Sequence, residues 1–340
     1  MSRVDVIVPC YNYAHFLEQC VNSVLTQGVD VRVLIIDDCS PDDTPAVAAR
    51  LGADKRVEYR RHAVNKRHIA TFNEGIEWLS GEYGLLLSAD DCLTPGALRR
   101  AVAAMDAHPD VVMCYGNAIK TDRPGSEPDA GDVPARIIPG PEFLRGLCAG
   151  AENVVPTPTA VVRTRVQKQL GGYKAELTHA GDFEMWMRFA AHGDIAWVDA
   201  PQAYYRIHGN NMSDGYPGVS DFAQRKASFE SLFSNFAARI PNAAALAIEA
   251  DREMARQAFW LGSDRFDEGN LPACREYHEL AARLDPSIRR SHSWMKFQIK
   301  KAIGPGAWGT LRKFMPRRRR TIQDPSRALL GGAAVTHISS

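Results

Sequence analysis

The sequence predicts an α/β protein: a mostly parallel sheet flanked by helices, followed by a helical region. Three observations carry this. Short apolar runs alternate with segments of helical period from Val4 to Leu87. One run, Val31-Arg32-Val33-Leu34-Ile35-Ile36, is nearly all apolar, as a parallel strand buried on both faces requires. Three of the first four runs stop at polar loops, Cys10-Tyr11-Asn12-Tyr13, Asp37-Asp38 and Asp90-Asp91. Right-handed crossovers place such strand ends along one edge, where open α/β sheets bind ligands.

The elements follow in order. Val4-Asp5-Val6-Ile7-Val8-Pro9 is a strand that Pro9 ends, and Phe16, Cys20, Val24 and Leu25 recur at helical spacing. After the second strand, Asp37 to Thr44 suits a loop and a helix N-cap, with Pro45 in the first helical turn. Val57-Glu58-Tyr59-Arg60 is a short third strand. Ile69 to Leu79 is a helix with Gly81 as its cap, and Tyr83 to Leu87 is the fourth strand. Lys120 to Gly140, rich in Pro, Gly and Asp, reads as a surface loop, and Val154 to Val162 returns to strand character.

Composition bounds the function. The chain has 340 residues, 45% hydrophobic and 24% charged, the balance of a globular protein. Its formal net charge of +1 supplies no global field for nucleic acid. Seven scattered cysteines, none in a Cys-x-x-Cys pair, argue against a zinc site and a disulfide framework and fit a reducing cytoplasm. Met1-Ser2-Arg3 runs straight into a strand, which leaves no room for a signal peptide. No apolar stretch approaches the roughly 20 residues that span a bilayer.

The strand-end loops carry the chemistry. Asp90 and Asp91 follow the buried run Leu85-Leu86-Leu87 directly, and two carboxylates this close suit a divalent cation with a diphosphate. Asp38 can accept from a base N–H and Tyr11 can stack on the base, while Asn65-Lys66-Arg67-His68 offers cations for a diphosphate. Capped turns, a rim aromatic and a solvated charge run are the plain alternatives for these residues. Neither a Gly-x-Gly-x-x-Gly nor a Gly-Lys-Ser/Thr phosphate cradle is present, so metal and side chains must neutralise phosphate charge.

In this order the residues resemble the family 2 glycosyltransferases, which have the GT-A fold. The matching stretches are Val6-Ile7-Val8-Pro9-Cys10-Tyr11-Asn12, Ile36-Asp37-Asp38-Cys39-Ser40, Asn73-Glu74-Gly75, Gly81-Glu82-Tyr83 and Ser88-Ala89-Asp90-Asp91. Gly171-Gly172-Tyr173, Gly181-Asp182-Phe183-Glu184-Met185-Trp186 and Tyr204-Tyr205-Arg206-Ile207-His208 through Ser213 complete the set. The resemblance implies an inverting transfer of a sugar from a nucleoside-diphosphate donor, UDP-sugar favoured, to a hydroxyl acceptor that is a saccharide, a lipid-linked chain or a protein. It implies a nucleotide-binding set of Pro9, Tyr11, Asp38, Lys66, Arg67 and Asp90. Asp91, and with it His208, would ligate Mg²⁺ or Mn²⁺, and Asp182 would be the catalytic base. Two departures stand out: Ser88 and Gly181 occupy positions where many relatives carry Asp and Glu.

Those roles have a physical logic. Inversion needs an acceptor hydroxyl to attack from the face opposite the leaving group. A carboxylate that takes its proton contributes about 10²–10⁴-fold. The diphosphate leaves with added charge that a metal stabilises as a Lewis acid. Asp182 opens a segment with Trp186, Phe189 and Ala190 at helical spacing, so a helix N-cap is its structural alternative. Glu184 would point elsewhere on that helix, towards an acceptor or a structural partner.

After about Ser213 the pattern changes. The expected division is a transferase domain over 1–215, a helical region over 216–322 with a basic amphipathic end, and a disordered tail over 323–340. Phe229, Leu232, Phe233 and Phe236 form one stripe, and Phe266 to Pro286 resembles a single tetratricopeptide helix pair, a packing element. Between Asp285 and Asp324 there is no acid, while Arg289, Arg290, Lys296, Lys300, Lys301, Arg312, Lys313 and Arg317 to Arg320 accumulate among Trp294, Met295, Phe297, Ile299, Ile303 and Trp308. Basic residues interleaved with Trp and Phe suit peripheral contact with an anionic membrane at its inner face; a packed basic tail is the alternative. Overall the sequence reads as a cell-envelope glycosyltransferase, against the alternative of a nucleotide-sugar-binding module without turnover.

Overall fold

The structure is a computed structural model that describes residues 2–125, 127–209 and 218–312. The chain divides into two compact units, Met1–Leu144 with Val155–Gly215, and Arg145–Val154 with Tyr216–Ser340. Residues 145–154 therefore group with the helical part of the chain, which the sequence pattern does not reveal.

In the first unit β1 (Val4–Cys10), β2 (Val31–Asp37), β3 (Val57–Arg61) and β4 (Tyr83–Leu86) run parallel, joined by α1 (Ala14–Leu25), α2 (Thr44–Leu51) and α3 (His68–Trp78). Then come β5 (Cys92–Leu93), α4 (Ala97–Ala107), β6 (Val111–Thr121), β7 (Ala135–Ile138), α5 (Gly140–Gly150), of which residues 145–150 belong to the second unit, β8 (Val161–Arg163), α6 (Thr164–Leu170), α7 (Gly181–Ala190) and β9 (Asp194–Arg206). The strand order is β3-β2-β1-β4-β8-β6-β9-β5, with β7 added on β9. β8 runs antiparallel to β4 and β6, and β5 and β7 run antiparallel to β9, so the sheet is mixed.

Alternation along the strands sets the layers. Val4, Val6, Val8, Val31, Val33 and Ile35 pack with Leu17, Cys20, Val21 and Val24 of α1 and with Leu98, Ala101 and Met105 of α4. On the other face Ile7 meets α3 so closely that a Cβ on Gly75 would overlap its side chain. A glycine is what permits this approach of helix to strand.

Three expectations change. Gly81 does not cap α3, which ends at Trp78 with Leu79 extended. Gly81 instead donates its N–H to the buried Asp5 at 2.8 Å, and a Cβ there would come within 2.7 Å of the Arg3 carbonyl. The strand read over Val154–Val162 shrinks to β8, because Pro156 and Pro158 frame a 3₁₀ turn at Thr157–Thr159. The loop read over Lys120–Gly140 contains the end of β6 and all of β7, a short strand whose alternation is too brief to register.

The second unit holds α8 (Val219–Phe236), α9 (Ala243–Asp267), α10 (Leu271–Leu284), α11 (His292–Ile303) and α12 (Pro305–Arg312). α9 and α10 form the expected hairpin. Gly269 turns it at φ +80°, and Asn270 caps α10 by accepting the Ala273 N–H at 3.2 Å. The tail over 323–340 and Arg317 to Arg320 lie outside the described residues.

Candidate active site

The loops after β1, β2 and β4 are tied to one another. Asp38 donates its N–H to the Cys10 carbonyl at 2.9 Å, and Asn12 donates to Ser40 Oγ at 3.0 Å. Ala14 donates to Asp42 at 2.9 Å, and Ala89 donates to the Pro9 carbonyl at 3.2 Å. Asn12 and Cys39 both adopt left-handed backbone, at φ 61° and 63°. Such strain clusters where a loop must aim its groups. Tyr11 stands about half exposed, at 49%.

Asp38 is buried, and its Oδ1 accepts the Lys66 N–H at 2.7 Å and lies 2.7 Å from His62 Nδ1. The other nitrogen of His62 reaches Glu74 at 2.9 Å, and Lys66 Nζ pairs with the same carboxylate at 3.1 Å. Burial pushes the Glu74 carboxyl up, but the bonds from Lys66 and His62 hold it below the usual range. Lys66 is thus drawn onto Glu74. Arg67 is exposed, with no ion-pair partner among the described residues.

Asp90 and Asp91 meet β9. The antiparallel pairing of Cys92 with Tyr204 and Leu93 with Ala203 brings residues 206–208 onto the acidic pair. Arg206 donates its backbone N–H to Asp91 Oδ1 at 2.9 Å and its Nε–H to the Asp90 carbonyl at 2.7 Å. Its guanidinium also reaches Gln19 at 2.7 Å and lies over the Phe16 ring. His208 Nε2 sits 3.1 Å from Asp90 Oδ2, with its ring against Tyr13 and Phe16. Burial, and then the charge of Asp90, raise the Asp91 carboxyl well above the usual range.

A cavity of about 160 Å³ joins this cluster to α7. Asp91 and Asp182 both line it, together with Ser88, His68, Thr157 and His179. Thr157 donates its hydroxyl to Asp182 Oδ2 at 2.8 Å, and the Phe183 N–H reaches Oδ1 at 2.7 Å. Burial raises the Asp182 carboxyl; the Thr157 and Phe183 bonds and the charge of His179 only partly offset it. His68 faces the Thr178 carbonyl through Nε2 at 3.0 Å, so that nitrogen carries a proton, and burial lowers the pKa of the ring.

The description Glycosyl transferase family 2 matches residues 5–165. The matched segment is similar to a family 2 glycosyltransferase domain. It is 32% identical over 145 residues to the succinoglycan biosynthesis protein ExoO of Rhizobium meliloti, covering 40% of each chain. It spans between 35% and 73% of the length of three further curated bacterial relatives. Among solved structures it resembles S. aureus TarS 1–349 in complex with UDP-GlcNAc, at TM-score 0.63 and 17% identity over 93% of both chains. It also resembles the mannosyltransferase PcManGT of Pyrobaculum calidifontis in complex with GDP-Man and Mn²⁺, at TM-score 0.53 and 17% identity over 92% of this chain and 87% of that one. At that identity the likenesses show the fold, which is GT-A.

Within the first unit Glu184 is structural. It is fully buried, 2.8 Å from Arg188 Nε and 3.6 Å from Lys174. Arg188 in turn donates to the Leu170 and Gly172 carbonyls, so the pair ties α7 to the Gly171-Gly172-Tyr173 turn. Asn73 of α3 bonds the same turn twice, through Tyr173 N–H at 2.7 Å and the Tyr173 carbonyl at 2.9 Å. Gly181 lines the cavity, and a Cβ there would press on the Tyr173 ring at 3.3 Å. A Glu at this position would have to displace that ring.

The sequence reading passed over His62 and His179, read Thr157 only as part of a strand, and read His68 only as one of a run of loop cations. Each reaches the partner it has in the structure only through the fold. The structure does not place all the chosen residues together. Tyr11, Asp38, Lys66, Arg67, Asp90 and His208 do not line the cavity that Asp91 and Asp182 share.

Among the described residues no group of three or more His, Cys, Asp or Glu is arranged to hold a metal ion. The donors present still fit one. Two adjacent carboxylates, one of them buried and raised by its neighbour's charge, are what a divalent cation completed by phosphate oxygens and water would relieve.

Proposed function

We propose that the protein transfers a sugar, with inversion, from a nucleoside-diphosphate donor to a hydroxyl acceptor in the synthesis of a cell-surface polysaccharide, glycolipid or glycoprotein. One observation carries the reading: Asp91 and Asp182, on different elements, line the same cavity. A metal-side carboxylate and a base need to face one small volume from different directions.

In this reading Tyr11 stacks on the base, while Pro9 and Asp38 border it. UDP is the favoured donor nucleotide; the S. aureus TarS structure with UDP-GlcNAc supports that choice. Arg67 is the exposed cation available to the diphosphate, and Lys66 contributes once Glu74 yields it. Asp90 faces the ribose. Asp91, with His208, would hold Mg²⁺ or Mn²⁺, which supplies Lewis-acid stabilisation of the leaving diphosphate. The PcManGT structure with Mn²⁺ supports this choice of ion. Arg206 holds the Asp90 backbone carbonyl and the Asp91 carboxylate, so the pair need not reorganise as charge develops.

Asp182 takes the acceptor proton. Its raised pKa makes it a stronger base than an ordinary carboxylate, and the Thr157 hydroxyl holds Oδ2 in position. His68, committed to Thr178 through Nε2, lines the same cavity. Work on a lipid-linked or polymeric acceptor would place the protein at the cytoplasmic face of a membrane. Among the described residues no helix is long and apolar enough to cross one.

The test is a panel of nucleotide sugars assayed for released nucleoside diphosphate, with Mn²⁺, with Mg²⁺ and with chelator. Metal-stimulated release from one donor is the expected result. Tight nucleotide-sugar binding with no release, whatever the acceptor, would leave only a binding module.

A further inference from the structure

We infer that the outer face of α11 is an anionic-lipid docking surface. The inference deepens the membrane-side placement above and rests on it for its setting, but no step of it uses the transfer chemistry.

The rotation of α11 is fixed by two inward anchors one turn apart. Phe297 is buried, with its ring 4.2 Å from His278, 5.4 Å from Phe266 and 6.0 Å from Phe259. Lys300 is also buried: its Nζ donates to the Ser263 carbonyl at 3.1 Å and to Ser263 Oγ at 3.0 Å, and it pairs with Asp267. A buried lysine with a carboxylate partner is costly to move, so α11 cannot roll. Ser291 caps the helix by accepting the Trp294 N–H at 3.2 Å, and Gly304 ends it at φ +84°.

With 297 and 300 turned inward, residues 295 and 299 point out and 303 lies at the edge of that face. They are Met295, Ile299 and Ile303, exposed at 53%, 65% and 39%. Three large apolar side chains at i, i+4 and i+8 make a continuous ridge, unlike singly scattered surface apolars. Cations lie beside the ridge: Lys296 is exposed next to it on the helix, and Arg289 and Arg290 are exposed in the 3₁₀ turn that leads into it. No acidic residue occurs between Asp285 and Asp324.

Charge decides the occupant. A second copy of this face would oppose cation to cation. A protein groove would need acids all round an apolar slot. A membrane surface rich in anionic headgroups supplies both negative charge and an apolar layer beneath, in the geometry of a ridge with cations beside it. The surface lies wholly within the second unit of the chain.

The full-length protein should be sedimented with vesicles of phosphatidylglycerol mixed with phosphatidylcholine, and of phosphatidylcholine alone, at low and high salt. Binding to the anionic vesicles at low salt is expected, with loss at high salt or on the neutral vesicles. Ile299→Glu, a surface change that should leave the circular dichroism melt unmoved, should weaken partition by at least about tenfold. Lys296→Glu should do the same, while Ile248→Glu, at an exposed apolar site on α9, should not. If the protein binds and Ile299→Glu binds equally well, the α11 face is not the docking surface, although a membrane placement survives. If the full-length protein ignores anionic vesicles at low salt, both fail. If Ile299→Glu changes only the sedimentation coefficient of the free protein, the ridge joins copies of the chain and the inference is overturned. Transfer to a soluble acceptor, measured on the same variant, should be unchanged, which separates this failure from failure of the transferase reading.

Discussion

The Thr157 hydroxyl donates to Asp182 Oδ2 at 2.8 Å across 25 residues of sequence, joining the 3₁₀ turn before β8 to the first turn of α7. This bond lowers an Asp182 pKa that burial has raised. Thr157→Val should therefore push the carboxyl higher still. A base works only when deprotonated, so the acid limb of the kcat/KM profile should move to higher pH. Thr157→Ser should restore it. An acid limb in the same place for all three proteins would show that the bond does not tune the base.

Asp182→Asn should leave donor affinity intact and lower transfer by about 10²–10⁴-fold, the ordinary worth of a general base. Calorimetry with nucleotide and steady-state kinetics on one preparation would distinguish this from a structural cap. In that case affinity, stability and rate would fall together.

Asp91→Asn should separate stability from function. Burial and the charge of Asp90 raise the Asp91 pKa above its unfolded value near 3.8. The native state then holds this proton to higher pH than the unfolded chain does. Wild-type stability consequently falls as pH rises from the ordinary carboxylate range through the raised native value. An amide has no such penalty and keeps the Arg206 N–H bond to Oδ1. The metal-free variant should therefore melt higher than wild type at neutral pH, yet lose metal-dependent nucleotide binding. A variant that melts lower, or that binds nucleotide and Mn²⁺ as wild type does, would contradict the assignment.

Glu184→Gln should do the opposite. Glu184 and Arg188 are both buried, and removing one partner of such a pair costs about 3–5 kcal/mol. Denaturant unfolding should show that loss. Activity per folded molecule should stay near wild type, because Glu184 does not line the cavity.

Gly75→Ala should destabilise the domain by roughly 1–3 kcal/mol, since the added methyl overlaps Ile7 and must push α3 from β1. Combining it with Ile7→Val should recover part of the loss, a coupling that a double-mutant cycle can read.

The parallel core was legible because a strand buried on both faces is almost all apolar, as in Val31 to Ile36, and because Pro9 and Pro45 punctuate the chain where elements end and begin. The strand over Val154–Val162 misled because β-branched residues and threonines favour strand locally, while Pro156 and Pro158 remove the ladder donors. Gly81 misled because a glycine after a helix is so often its cap. Here the same residue type is required by the close approach of Arg3 and Asp5. His62 could not be found at all: it bridges Asp38 and Glu74, neither of which is near it in sequence.

By itself the sequence determined the strands and helices of the parallel core from β1 to β4, the adjacency of Asp90 and Asp91 after a buried run, and the acid-free basic stretch after Asp285. These are properties of spacing and residue type within a few turns of chain. Tertiary structure alone decided that Asp91 and Asp182 share one cavity, and that Arg206 closes on the acidic pair from 115 residues away through the pairing of β5 with β9. It also decided that Met295 and Ile299 face outward, with Ile303 at the edge of that face, while Phe297 and Lys300 face in. The reason is physical: periodicity is written locally, but register between distant strands and the rotation of a helix are set by which side chains a packed core will admit.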